Sequence, residues 1–277
     1  VMEYHLRGVN VNYGLGRGTG STTYAMVALV MGFVLEKRPP TVILPVFLAA
    51  LAVQIVTVWS FRYPLPPAPE PRQGEEPQVL GLWALLRKYP AFTVLLVGCA
   101  LLQGGHNACN TYMIHIVAKA GAGESLMGVV LAVCAFMELP AMALFPRMRR
   151  RLSLRGLFRV CAAAFVVRSL LFWLATSPVL LYVSAVLQFF EFGIFLPTTV
   201  YYVAEYLDAA NQAKGQGLIH VFSNGIGPAA ATAVSGWLID RLGVNAMLAF
   251  TTISGAVGFL VVVAATSRYF DKRSKEK

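Results

Sequence analysis

Eight apolar segments, each about as long as a membrane is thick, leave this 277-residue chain few folds to choose from. They run over residues 14–35, 41–61, 91–118, 125–146, 157–175, 179–203, 215–238 and 244–267. A helix needs about 20 mostly apolar residues to cross the hydrocarbon core of a bilayer, and each segment supplies roughly that many. Hydrophobic residues make up 57% of the chain and charged residues 13%, against the roughly 25% charge usual in soluble chains. A water-soluble domain of this size has no interior large enough to hide so much apolar surface. The sequence therefore predicts an all-α polytopic membrane protein. The net charge of +10 does not point to nucleic acid, because the basic residues sit in short clusters between apolar stretches.

Most junctions are a few residues long, as between antiparallel neighbours in a bundle. The exception is 62–90, which contains PLPPAPEPRQGEEPQ, a Pro- and Glu-rich run with the signature of a linker. It divides the chain into residues 1–61, with two helices, and 91–267, with six, followed by a tail at 268–277. Segments 1–17, 62–88, 147–159, 205–214 and 268–277 together hold 18 of the 23 Lys and Arg. The opposite loops hold Lys37, Arg38, Lys119 and Arg241, and Arg168 lies inside a helix. The positive-inside rule then predicts a cytoplasmic linker and cytoplasmic termini in a cell membrane. It reads Arg147, Arg149, Arg150 and Arg151 as topology anchors rather than a ligand site.

The first and seventh spans share features. One runs from Gly16-x-Gly18 to Gly32-Phe33-Val34-Leu35-Glu36-Lys37, the other from Gly215-x-Gly217 to Gly236-Trp237-Leu238-Ile239-Asp240-Arg241. If these are equivalent, the first two helices correspond to the last two of the six-helix unit, and four further helices of the same protein precede them. Two parallel six-helix repeats around a cytoplasmic linker are the plan of major facilitator transporters.

Function is read from polar residues that a bilayer should exclude. A charge at mid-membrane costs several kcal/mol and normally faces a partner or a cavity. Glu138, Arg168 and Glu191 lie near the middle of successive spans. Two acids and a base at similar depth can pair; a pair that opens and closes can carry a proton, and one that does not braces the bundle. In span 91–118, Gln103, His106 and Asn110 share a helix face, beside Asn107. Such a stripe suits a hydroxylated substrate or serves as interhelical hydrogen-bond glue. His115 falls on the opposite face from His106, and no metal-ligand spacing or cofactor motif occurs. Cys99, Cys109, Cys134 and Cys161 all lie within spans and read as small core residues. Arg17, in Tyr13-Gly14-Leu15-Gly16-Arg17-Gly18, either snorkels to the interface or faces the cavity. The glycines around it make no nucleotide loop, since neither GxGxxG nor GxxxxGK[ST] is met.

With these residues in view, the chain resembles the oligosaccharide:proton symporter, or lactose permease-like, branch of the major facilitator superfamily. The most specific stretch runs from Val167-Arg168 through Ala175-Thr176-Ser177 to Leu187-Gln188-Phe189-Phe190-Glu191. In that family an arginine helix is followed at this spacing by a helix carrying Leu-His-x-Phe-Glu. The resemblance implies that Glu191 is the proton carrier and Arg168 its partner, with Gln188 standing where the family has histidine. Glu138 matches an acid that links sugar binding to protonation. Tyr13, Gly14 and Arg17 match a Phe-Gly-x-x-Arg pattern whose arginine contacts sugar, and Tyr24 stands at a sugar-stacking position. The chain then corresponds to the last eight of twelve helices of a secondary transporter. His106 with Asn107 also resembles phenylpropionate-permease relatives, so sugars, nucleosides and aromatic acids remain open as substrates, and efflux antiport remains open beside proton symport. An intramembrane enzyme is not expected: neither a nucleophile–base pair nor HExxH is found. On this reading Arg17→Lys in the full-length transporter should weaken sugar binding at least about tenfold, because an ammonium cannot reproduce the two-pronged donation of a guanidinium. Unchanged affinity in a binding titration would return Arg17 to the interface.

Overall fold

The computed structural model describes residues 19–20, 22–24, 26–27, 30–31, 34, 38–60, 79–123 and 125–267. Arg17, Tyr13 and Gly14, most of the linker and the tail from 268 lie outside the described residues. Those described between 19 and 34 are helical. After a 3₁₀ turn at Pro40–Val42 the helices are α1 (Ile43–Ser60), α2 (Leu82–Lys88), α3 (Pro90–Thr111), α4 (Met113–Lys119), α5 (Ser125–Arg151) and α6 (Leu154–Leu174). They continue as α7 (Pro178–Leu187), α8 (Ile194–Tyr206), α9 (Ala209–His220), α10 (Gly227–Leu242) and α11 (Val244–Ala265). Among the described residues there is no strand.

Six helical runs among the described residues are long and apolar enough to cross a membrane: Ile43–Ser60, Pro90–Thr111, Leu126–Arg151, Leu154–Leu174, Pro178–Tyr206 and Val244–Ala265. The span expected at 215–238 is divided between α9 and α10, joined by a π-helical turn at Val221–Ile226. The span expected over 91–118 stops at Tyr112, whose backbone leaves helical geometry (φ −100°, ψ 25°). Its hydroxyl donates to the carbonyl of Thr232 on α10 at 3.2 Å, which ties the end of α3 to its neighbour before α4 begins.

Helix α3 lies at the centre of the packing among residues 79–267, with more than half of its residues buried. It packs on α10 and α11, α11 packs on α6, and α5 packs on α7. Between helices in lipid there is no hydrophobic drive, so close approach of small residues takes its place. A side chain at Gly227 would collide with the backbone of Ala100, and one at Gly104 would lie 2.9 Å from the carbonyl oxygen of Gly227. A side chain at Gly98 would stand 2.8 Å from the side chain of Val262, and one at Gly258 3.1 Å from those of Leu101 and Leu102. By contrast, α1 buries none of its residues.

The apolar interior forms two clusters. One gathers Leu85, Phe92, Leu102, Phe158, Phe165 and Ile194; the other gathers Cys109, Met113, Cys134, Phe172, Leu181 and Ala185. Several chain segments pass from one cluster to the other, among them α3 between Leu102 and Cys109, α6 between Phe165 and Phe172, and the run from α7 to α8 between Ala185 and Ile194. His106, Arg168 and Glu191 fall within those three intervals, so a polar layer lies between two apolar ones.

Charges serve the ends of the bundle. Ser153 caps α6 by accepting from Gly156 N at 3.1 Å, which offers one orphan amide a partner. Lys119 donates to the carbonyls at the C-terminal end of α6, those of Trp173 and Ala175, and Arg159 does the same for Thr266 at the end of α11; both complement the negative pole of a helix. Lys88 pairs with Asp208 at 2.6 Å, and Arg149 pairs with Glu205. The hydrogen bond from Lys88 holds the Asp208 carboxyl below its ordinary range, and the same bond raises the Lys88 ammonium.

The glycine contacts generate a paired expectation. Gly227→Ala should lower stability by about 1–3 kcal/mol, because the group it meets is backbone and cannot rotate away. Gly217→Ala, with nothing within 4 Å, should stabilise α9 by about 0.5–1 kcal/mol. Thermal unfolding of the purified protein in detergent micelles reads both; equal shifts would remove the distinction.

Candidate functional site

Glu191 owes its position to a local departure from the α-helix. Residues Phe189–Gly193 form a π turn, in which Gly193 N bonds to Gln188 O, five residues back, at 3.0 Å. Four residues further on, Pro197 has no N–H to offer the Gly193 carbonyl, so the regular ladder is already interrupted here. Gly193 also lets α5 come close. A side chain at this position would stand 2.5 Å from the Cβ of Ala141 and 3.4 Å from the Cα of Glu138. That approach brings Gln188 beside Glu138, and Gln188 Nε2 donates to Glu138 Oε1 at 3.3 Å.

Arg168 and Glu191 are both about 1% exposed. Arg168 Nη1 donates to Glu191 Oε2 at 2.6 Å. Its Nη2 reaches Cys134 Sγ at 3.3 Å and Asn110 Oδ1 at 3.5 Å. The guanidinium also lies 4.9 Å from the centre of the Phe172 ring, one helical turn further along α6. These contacts offset part of the cost of holding two ions away from water, although Arg168 Nε has no hydrogen-bond partner among the described residues.

His106 closes the network. Its Nδ1 is 3.1 Å from Glu191 Oε1 and its Nε2 is 2.9 Å from Asn110 Nδ2. With Asn110 Oδ1 turned toward Arg168, the Asn110 amide nitrogen is left to donate to Nε2. In that arrangement Nε2 is the bare nitrogen and Nδ1 carries a proton toward Glu191, while Arg168 Nη1, 2.9 Å from the same Nδ1, is placed for the opposite tautomer. The ring is fixed from two sides, stacked parallel on Phe192 at 5.2 Å and edge-on to Phe165 at 5.7 Å.

Beside this network lies a cavity of about 380 Å³ whose wall includes Tyr24, His106, Asn110, Glu138, Gln188 and Cys134. Its size falls within the roughly 300–1,000 Å³ of small-molecule sites. Gln188 Oε1 is buried and accepts no hydrogen bond among the described residues.

Residues singled out from the sequence are thus distributed unevenly. His106, Asn110, Glu138, Gln188 and Tyr24 meet at the cavity, while Arg168 and Glu191 sit behind it. Gln103 is buried on α3 but is not among the residues that line the cavity, and Asn107 is exposed, accepting from Thr111 at 3.4 Å. His115 is exposed, and His220 accepts from Asn224 Nδ2 at 2.8 Å. All four cysteines are buried free thiols, but Cys134 is more than filler, since it touches Arg168 and lines the cavity. Its place one turn before Glu138 on the same helix face was the available signal. Phe192 and Phe165, which hold His106, carried no sequence signal beyond being aromatic. Among the described residues no cluster of three His, Cys, Asp or Glu side chains is placed to hold a metal.

Long apolar helices around a buried ion pair and a polar-walled cavity define a multi-pass membrane transporter. Residues 3–252 match the MFS_1 like family, and the chain belongs to that family of major facilitator transporters. It is 28% identical over 266 residues to the maltose permease of Geobacillus stearothermophilus, an alignment covering 95% of this chain and 66% of that protein. It is 21% identical over 250 residues to the uncharacterized transporter YwbF of Bacillus subtilis strain 168, covering 90% and 61% respectively. The chain thus spans about two thirds of the length of these relatives.

The geometry of the pair makes it a thermodynamic unit. Arg168→Met should cost about 3–5 kcal/mol, because it leaves a buried carboxylate without its cation. Adding Glu191→Gln to Arg168→Met should recover most of that loss, since the remaining group is neutral. Denaturant unfolding in detergent measures the cycle; losses that simply add would mean that the two groups do not sense each other.

Proposed function

We propose that this chain belongs to a proton-coupled symporter that takes up a small hydrophilic solute such as a sugar across a bacterial cytoplasmic membrane. The observation that carries the reading is the Arg168–Glu191 pair, 2.6 Å apart and almost wholly buried, set immediately behind a cavity with polar walls. A carboxylate whose cation can be drawn away alternates between two environments with different proton affinity, and such alternation is what coupling requires. Glu191 is the proton carrier in this scheme and Arg168 its partner. Glu138 and Gln188 link the carrier to the cavity. Tyr24, His106 and Asn110 contact substrate there, with Arg17 as a further sugar contact.

Substrate class is supported by the name of one relative, a maltose permease, and by the cavity itself. Its donors and acceptors suit hydroxyl groups, and Tyr24 offers a ring face to a sugar. In the proposed organisation residues 1–61 are the last two helices of the first six-helix half, 62–90 the cytoplasmic linker and 91–267 the second half, with substrate bound between the halves. Both termini lie on the cytoplasmic side.

The test uses the full-length transporter in proteoliposomes with radiolabelled maltose as probe. Glu191→Gln imitates the protonated carrier permanently. It should still exchange maltose across the membrane but lose accumulation driven by an imposed proton gradient. Loss of both activities would make the pair structural, and intact accumulation would place the proton elsewhere, with Glu138 next in line. Gradient-driven movement of label out of the vesicles against its own gradient would establish antiport.

A further inference from the structure

Arg168 and Glu191 are not themselves part of the cavity wall, whereas His106 and Asn110 are. A proton bound for Glu191 from the cavity therefore has to pass a side chain, and the imidazole of His106 is the one that touches both. Its Nε2 end meets Asn110 at the cavity wall, and its Nδ1 end is 3.1 Å from the carboxylate. Of the cavity residues near Glu191 in the chain, Phe192 has no exchangeable side-chain proton and Gln188 has an amide that cannot accept and pass on a proton at neutral pH. We propose that His106 is the proton relay between the cavity and Glu191, working by exchange of its two tautomers. The inference rests on the proton-coupled reading above and moves His106 from the substrate contacts into the coupling machinery.

A proton delivered by cavity water forms the Nε2–H bond; the Nδ1–H bond breaks, and its proton forms the Oε1–H bond of Glu191. One proton has moved from cavity to carboxyl, and the ring is left as the other neutral tautomer. The structure already holds the partner that this state needs. Arg168 Nη1 stands 2.6 Å from Glu191 Oε2 and also 2.9 Å from His106 Nδ1. While Nδ1 carries its proton the second approach sets donor against donor. Once Nδ1 is bare it accepts from Nη1, so the guanidinium gains an acceptor as the carboxylate loses its charge. Asn110 turns its amide over, and Oδ1 accepts from the new Nε2–H. The reverse path unloads the carrier.

The surroundings suit exchange without ring movement. Phe192 stacks on the imidazole and Phe165 meets its face edge-on, which holds the ring while leaving both nitrogens engaged. The titratable and charged groups around it are Glu191, Arg168 and Cys134, with Glu138 at the same cavity wall. Helices α10 and α11, also packed on α3, carry charge only at Asp240 and Arg241, at the C-terminal end of α10.

The test needs no substrate. The full-length protein in lipid is stepped from alkaline to acid medium while its infrared carboxyl band is followed, and the part of that band missing in Glu191→Gln reports Glu191. In His106→Ala and in His106→Gln, which can hydrogen-bond but cannot relay, the band should rise at least about tenfold more slowly. Free imidazole should restore the rate in His106→Ala, and pyrazole, of the same size but far weaker as a base, should not. An unchanged rate in both variants, or equal rescue by pyrazole, overturns the relay while Glu191 still protonates. Absence of any Glu191 band in the parent protein would overturn the carrier reading and the relay with it.

Discussion

A guanidinium and a carboxylate kept 2.6 Å apart inside a bundle of apolar helices set the terms for everything around them. In water such a pair is worth little, because each ion is already solvated. Away from water the same pair is held together by the cost of separating it, and that cost falls on whatever positions the two chain segments that carry it. Here those segments are α6 and the run from α7 to α8. The pair is enclosed in a layer of its own: Asn110, His106 and Cys134 engage further polar atoms of the two groups, and apolar clusters close the layer above and below.

The layer could not be assembled from regular helices packed at ordinary distance. Gly193 brings α5 against the π turn that carries Glu191, and Gly104 with Gly227 brings α10 against α3. Both π turns, at Phe189–Gly193 and Val221–Ile226, lie within or next to these contacts. An extra residue in a turn rotates the residues beyond it by roughly 100° relative to a continuous α-helix, which changes the face that a side chain presents. Small residues and interrupted ladders at these contacts also suit helices that shift relative to one another.

Helix α3 connects the two aspects of the site. Its glycines make the close contacts with α10 and α11, and its polar residues make the contacts with Glu191 and the cavity. Since Gln188 occupies the position where the resembled family carries histidine, an imidazole one turn before the carboxylate is not available in this chain. His106 reaches the same carboxylate from another helix, 85 residues earlier in sequence. The hydrogen bonds around it are mutually consistent only with one tautomer at a time, and the second approach of Arg168 to Nδ1 fits the other.

Architecture and the identity of the polar intruders were legible in the sequence alone. Segment length and composition are local properties, and a bilayer tests them locally, so the spans and the anomaly of Glu138, Arg168 and Glu191 within them could be read residue by residue. Family resemblance added the pairing of Arg168 with Glu191. Tertiary packing settled the remainder: that His106 joins Glu191, that Glu138 meets Gln188, that Cys134 touches Arg168, and that Asn107 turns outward while Asn110 turns in. Those outcomes depend on how each helix is rotated and how closely it approaches its neighbours. Rotation and approach are set by glycine contacts and by π turns, whose effects emerge only when chain segments far apart in sequence are packed together.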